Sequence, residues 1–353
     1  MKAYSKKYTL QFKQASGTSR GVYTTRDSWF IFLTDGQYTG IGECAPLPDL
    51  SIESIKKMGS KLVQVCEQID YFSQFPYELN SWPSIRFGIE TALLDLQNRG
   101  RRELFPSAFT RGEKGITING LIWMGSPDFM KQQIRAKLDA GFHCIKMKIG
   151  ALDFETEFEL LKAIRNEFSA EKITLRVDAN CAYTYKQALE NLKRLADLQI
   201  HSIEQPIATG RWDEMAELCR KSPVPIALDE ELIGITTEKE MQKLVETIHP
   251  AYLILKPSLH GGMAGCEQWI KLAENAGSGW WITSALESNI GLNAIAQWAF
   301  HLNAKNEQGL GTGQLFTNNF DSPLNIEGEQ LWYRPENEWN LQNLLTEDAE
   351  DDF

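Results

Sequence analysis

The chain has 353 residues, of which 42% are hydrophobic and 24% charged, with a formal net charge of −11. That length exceeds one ordinary compact domain and suits a barrel of about 200–250 residues plus a smaller companion. The acidic balance argues against a nucleic-acid or anionic-membrane partner, and no apolar run nears the roughly 20 residues of a membrane span.

No apolar signal core follows Met1–Lys7, so a cytoplasmic protein is expected. Six scattered cysteines without a C-x-x-C pair read as buried thiols of a reducing compartment. The five histidines form no metal-ligand pattern and give no support to a zinc site.

Trp29–Leu33 and Tyr38–Ile41 read as strands around an Asp35-Gly36 hairpin turn. Helical patterns follow from Ser51 to about Asp70 and from Ser84 to about Arg99, the second stopped by Gly100. Strands followed by helices predict an α+β domain over residues 1–112. Short apolar runs then alternate with amphipathic stretches: Ile116–Leu121, His143–Ile149, Ile173–Asp178, Ile200–Glu204, Pro225–Asp229, Tyr252–Lys256, Gly279–Thr283 and a weaker Gly309–Gly313. Ser126-Pro127 marks one helix start and Gly141 its end. Eight such units predict a (β/α) barrel over residues 113–314. An open doubly wound sheet is the alternative, but no G-x-G-x-x-G follows the first strand, so its dinucleotide-binding form has no support. The segment 315–353 is expected to pack back on the first domain and to end in acidic coil.

Five polar residues close successive strand patterns: Lys148, Asp178, Glu204, Asp229 and Lys256, spaced by 30, 26, 25 and 27 residues. Each interval matches one βα unit of about 25–30 residues and would place all five on the C-terminal rim of a barrel. Taken singly, an acid after a strand is usually a helix N-cap and a lysine there snorkels to water. Taken together, three carboxylates on one rim would repel and raise each other's pKa values unless a cation sat among them. Hard oxygen donors of this kind suit Mg²⁺. Lys146 and Lys148 share one face of their strand, and two inward ammonium groups disfavour each other's charge. That predicts a lysine pKa lowered toward the range of a general base.

The pattern Lys146-x-Lys148, then Asp178, Glu204, Asp229 and Lys256, resembles the muconate-cycloisomerase subgroup of the enolase superfamily. Gly42–Pro48 and Arg86–Leu96 look like that subgroup's capping-domain signatures, so the resemblance spans nearly the whole chain. It implies an α/β fold, an enolase-type modified TIM barrel with an N-terminal α+β capping domain. It also implies Lys148 and Lys256 as acid/base residues and Lys146 as their electrostatic partner. Asp178, Glu204 and Asp229 become the Mg²⁺ ligands, with Mn²⁺ able to substitute. A lysine base with a metal-held enediolate is the general scheme of that superfamily.

Within the subgroup, Ser284–Leu292 resembles the S-x-x-E-S-x-x-G-L segment of the o-succinylbenzoate synthases, although it also reads as an N-cap with a reaching glutamate. Gly309–Gln314 lacks the Asp-x-Asp with which dipeptide epimerases hold an ammonium group. The implied reaction is dehydration of 2-succinyl-6-hydroxy-2,4-cyclohexadiene-1-carboxylate (SHCHC), a small anionic carboxylate, to 2-succinylbenzoate. An N-acylamino acid racemase or dipeptide epimerase is the alternative. Arg176, Asn180, Ser284, Ser288 and Arg20 are the expected substrate contacts, though Arg176 could instead pair with a neighbouring acid. Arg20 lies in Gly17–Gly21, which reads either as the family's mobile capping loop or as a plain hairpin connection.

Overall fold

In the computed structural model, which describes residues 1–18 and 21–346, the chain opens with an antiparallel sheet of β1 (Lys2–Thr18), β2 (Gly21–Thr34) and β3 (Thr39–Cys44), in that order. The Asp35 carboxylate accepts from the backbone N–H groups of Gln37 and Tyr38, both at 2.8 Å, and Gly36 takes φ 95°. The expected hairpin turn is therefore present. The run Trp29–Leu33 lacks polar alternation because β2 is buried on both faces. Ile31 and Leu33 pack with Met58 and Leu62 of α1 (Met58–Glu67), Phe72 of α2 (Ile69–Gln74) and Ile85 and Ile89 of α3 (Pro83–Gln97). Phe30 and Phe32 face the other way, onto Leu286, Ile290, Phe316 and Phe320. The helix expected from Ser51 starts only at Met58, after a short 3₁₀ turn, and breaks at Gln68.

Beyond β4 (Ile116–Thr117), a parallel sheet runs in chain order: β5 (Gly120–Ile122), β6 (Cys144–Lys148), β7 (Thr174–Asp178), β8 (Ser202–Glu204), β9 (Ile226–Leu228), β10 (Tyr252–Leu255) and β11 (Gly279–Ile282). The intervening helices are α4 (Pro127–Asp139), α5 (Phe154–Glu167), α6 (Tyr185–Asp197), α7 (Trp212–Lys221), α8 (Glu238–Ile248) and α9 (Gly262–Asn275), with α10 (Asn289–His301) after β11. Local side chains start several of them. Ser126 caps α4, Asp153 caps α5, and Thr184 and Gln187 form a reciprocal capping box on α6.

Two expected strands differ. Ile116–Leu121 is split: β4 leaves the barrel to pair with β13 (Gln330–Tyr333), itself paired with β12 (Leu324–Glu327), and only β5 joins the parallel sheet. Gly309–Gly313 forms no strand. The two sheet edges are instead tied by single bridges, Ile118 to Gln308 and Thr283 to Gly309. Three glycines at alternate positions supply no side chains to pack on a pleated surface. A Cβ on Gly309 would lie 2.5 Å from the Thr283 hydroxyl, so the close approach needs glycine.

After the barrel the chain returns to the first sheet, where Lys13 N–H donates to Leu315 O and Thr317 N–H to Gln11 O, each at 2.8 Å. The last described element is α11 (Gln342–Thr346). Cys44, Cys144 and Cys266 are buried free thiols. Among the described residues no helix is long and apolar enough to cross a membrane.

Candidate active site

Alternation along β6 sends Ile145 and Met147 into the sheet–helix core and leaves Lys146 and Lys148 inside the barrel. Register aligns their neighbours. Lys146 stands opposite Arg176 on β7, and Lys148, Asp178 and Glu204 form one row across β6, β7 and β8. Glu204 pairs with Ala227, so Asp229 lies two residues further on, just past the end of β9. Ala227 pairs with Tyr252, which carries Lys256 two residues beyond Asp229's level. Such stagger is how a parallel sheet curls into a barrel, and it keeps the five side chains at one end.

The lysines and carboxylates meet directly. Lys148 Nζ donates to Asp178 Oδ2 at 3.0 Å and to Asn180 Oδ1 at 2.7 Å. Lys146 Nζ lies 3.0 Å from Asp178 Oδ2 and 2.5 Å from Glu204 Oε2. Lys256 Nζ donates to Asp229 Oδ2. The expected lowering of a lysine pKa by its twin is not what the arrangement does to Lys146. Burial works against its charge, but Asp178 and Glu204 outweigh burial and raise its pKa. Lys256 is raised likewise, with Asp229 and Glu204 overcoming burial. Opposite-charge contact beats like-charge repulsion here because the carboxylates are in hydrogen-bond range. On the acid side, burial opposes Asp178's charge but Lys146, Lys148 and Lys256 hold it far below its ordinary value. Burial and the neighbouring Asp178 push Glu204 well up.

Among the described residues, no three His, Cys, Asp or Glu side chains stand ready-gathered around a metal position. The reason is visible in the contacts: the Lys146 ammonium bridges Asp178 and Glu204, and Lys256 sits on Asp229, so ammonium groups occupy the place of a cation. Glu204 Oε1 and Asp229 Oδ1 are buried without hydrogen-bond partners. Orphaned carboxyl oxygens on a rim of hard donors fit a divalent ion.

Lys146, Lys148, Asp178, Asn180, Glu230 and Lys256 floor a cavity of about 320 Å³, with Glu204 and Asp229 buried behind them and outside its lining. Tyr23, Leu47 and Leu50 roof it from the first domain, while Trp123, Leu286 and Leu315 form apolar walls. Gly309, Gly311, Thr312 and Gln314 line it without a carboxylate, and the Ser284 hydroxyl lies 2.5 Å from that of Thr312.

The other expected contacts fare unevenly. Ser284 and Asn180 reach the cavity, but Asn180 is engaged, its amide donating to Glu230 Oε1 at 3.0 Å. Arg176 is buried below the cavity, stacked 4.3 Å from the Trp281 ring centroid and paired with Glu307 at 2.7 Å. Ser288 caps α10 and donates to Glu43 Oε2 at 2.5 Å, away from the cavity. Arg20 lies outside the described residues.

Several residues escaped the sequence reading. Glu230 is pushed up to about 7 by burial, with Asp229 and Asp178 adding to it. Gln205 Oε1 accepts from the N–H groups of Asp229 at 3.3 Å and Glu231 at 3.2 Å, bracing the turn that presents Asp229. Arg26, buried on β2, donates to Ala45 O at 2.6 Å and to Ala285 O, tying the first domain to the Ser284–Leu286 rim. Leu286 holds φ 65° there. Both Glu230 and Gln205 directly follow a proposed ligand, which was the available signal. Arg26 carried none, because its partners are backbone carbonyls.

The Enolase C-terminal domain-like family model matches residues 129–334, and the model of the MenC N-terminal domain matches residues 2–96. The chain is 46% identical to an o-succinylbenzoate synthase of Desulfotalea psychrophila, covering 91% of this chain and 96% of that one. The crystal structure of MenC from that organism superposes with a TM-score of 0.84 at 42% identity over 94% of this chain and 99% of the other. The L-Ala-D/L-Glu epimerase of Bacillus subtilis shares the fold, with a TM-score of 0.81 at 19% identity over 94% and 96% of the two chains.

Proposed function

The chain belongs to the o-succinylbenzoate synthase family of the enolase superfamily, and from that premise we propose that it dehydrates SHCHC to 2-succinylbenzoate. The observation that carries the reading is one cavity into which Lys148 and Lys256 project from strands on opposite sides, above carboxylates.

Members of the superfamily generally use Mg²⁺. Asp178, Glu204 and Asp229 would hold the ion here, and Mn²⁺ could replace it. When bound, it supplies positive charge to the substrate carboxylate and takes up the charge of its ligands. Lys148, as the neutral amine, removes the proton next to the ring carboxylate. It then returns a proton to the departing hydroxyl, so that water leaves and the ring becomes aromatic. Lys256 holds a positive charge on the opposite side of the cavity throughout, and Lys146 holds its own charge between Asp178 and Glu204. The apolar walls exclude water from the reacting face. Ser284 is the remaining candidate for direct substrate contact.

The Gly309–Gln314 rim supports an anionic substrate over a dipeptide, since a buried ammonium left unpaired costs several kcal/mol. Ultraviolet monitoring of SHCHC consumption by the purified protein with Mg²⁺ tests the reading. A panel including N-succinyl amino acids and dipeptides sets its bounds. Preference for a dipeptide by kcat/KM would overturn the synthase assignment, and equal use of an N-succinyl amino acid would make the protein bifunctional.

A further inference from the structure

We propose that Glu230 is a positioning residue for the Lys148 base, acting through Asn180. The inference rests on Lys148 being that base. Asn180 lies between the two: its Oδ1 accepts from Lys148 Nζ at 2.7 Å and its Nδ2 donates to Glu230 Oε1 at 3.0 Å. A side-chain amide has one accepting and one donating end, and Glu230 Oε1 takes the donating end. Glu230 therefore dictates which end of Asn180 faces the lysine. With the amide reversed, N–H groups would meet N–H groups and the bond to Lys148 would be lost.

The arrangement matters because the two acceptors of Lys148 are unequal. Asp178 Oδ2 is shared with Lys146 at 3.0 Å, and Asp178 is one of the proposed metal ligands. Asn180 Oδ1 accepts from Lys148 and belongs to no proposed ligand. A neutral amine has two N–H groups and one lone pair, so with Asp178 and Asn180 each accepting an N–H the lone pair is left the one remaining direction. Of those two acceptors, only Asn180 stands outside the proposed metal ligands.

Both members of the relay are themselves fixed. Asn180 adopts φ 42°, a left-handed conformation that asparagine tolerates better than most residues. Glu230 is buried at the start of the 3₁₀ turn Glu230–Leu232. That turn is braced by Gln205, whose Oε1 takes the N–H groups of Asp229 and Glu231, the residues flanking Glu230.

The test compares Glu230→Ala, Glu230→Gln, Asn180→Gly and the double variants in steady-state turnover of SHCHC by the Mg²⁺-loaded enzyme. Glycine at 180 removes the amide without straining the positive φ. Glu230→Ala should lower kcat by roughly 10–100-fold with KM changed less than about threefold. Glu230→Gln retains an acceptor and should stay within about threefold of the parent. In the Asn180→Gly background, Glu230→Ala should cost no more than about a further twofold, because its route to Lys148 has already gone.

Multiplicative losses in the double variant, a loss confined to KM, or a Glu230→Gln as damaged as Glu230→Ala would each overturn the proposal. Should Glu230→Ala fail to fold, Asn180→Gly and Asn180→Gly with Glu230→Gln carry the test. The first must lose kcat rather than KM, and the second must be no worse. Parent activity and its loss in Lys148→Ala check the underlying reading separately.

Discussion

Replacing Lys146 by methionine would remove one cation from a closed set of charges while keeping most of the aliphatic volume. Lys146 is 6% exposed and bridges Asp178 at 3.0 Å and Glu204 at 2.5 Å, so its loss leaves those two carboxylates facing each other with no ammonium between them. Breaking a buried pair by removing one partner costs about 3–5 kcal/mol. Protonation of Glu204, already raised by burial and by Asp178, would relieve part of that cost at low pH. The measurement therefore belongs at pH 8. Chemical denaturation of parent and Lys146→Met, each with chelator and with saturating Mg²⁺, is the assay. In chelator the variant should lose the full amount. In Mg²⁺ the deficit should shrink to under about 1 kcal/mol, because a divalent ion on the same oxygens restores the missing charge and binding to the folded state alone is stabilising. An equal deficit in both media would refute the reasoning, because it would mean that the lysine and the metal do not serve the same carboxylates.

Burial pushes Glu53 up to about 7 from an ordinary value of 4.5. A folded pKa above the unfolded one gives stability that is complete below 4.5 and lost as pH climbs through 7, in all about 3 kcal/mol. Glu53→Gln should therefore gain about that much on the parent between pH 5 and pH 8 in denaturation midpoints, and a pH-independent difference would show that the carboxyl titrates normally. Gly42→Ala would put a Cβ 1.8 Å from Gly88 O, so β3 must part from α3. A loss of at least about 3 kcal/mol, or no soluble protein, is expected in melting and yield. Arg26→Met leaves the carbonyls of Ala45 and Ala285 without this donor, at about 1–3 kcal/mol for each one stranded. Because Ala285 sits in the cavity rim, kcat/KM for SHCHC should fall by roughly tenfold. Unchanged kinetics would show that the rim holds its shape without the first domain's arginine.

The parallel sheet was legible in the sequence because each strand is short, apolar and followed by an amphipathic helix at a nearly constant interval. The same interval marked Lys148, Asp178, Glu204, Asp229 and Lys256, since strand alternation and one repeat per βα unit are local properties written into residue order. The Asp35-Gly36 turn and the strand at Trp29–Leu33 were readable for similar reasons. What depended on chain segments distant in sequence was not. Arg176 and Asp178 share strand parity, yet one layer of depth sends the arginine onto Trp281 and Glu307 instead of the cavity. Ser288 sits in a recognisable motif, but its hydroxyl is taken by Glu43 across 245 residues. β4 left the barrel because β13 pairs with it, and β13 lies more than two hundred residues later. Residue order carries each side chain's face and period. Only the folded barrel, with the first domain seated on its rim, decides which polar groups come within about 3 Å of one another, and that proximity is what raises Lys146 and Lys256.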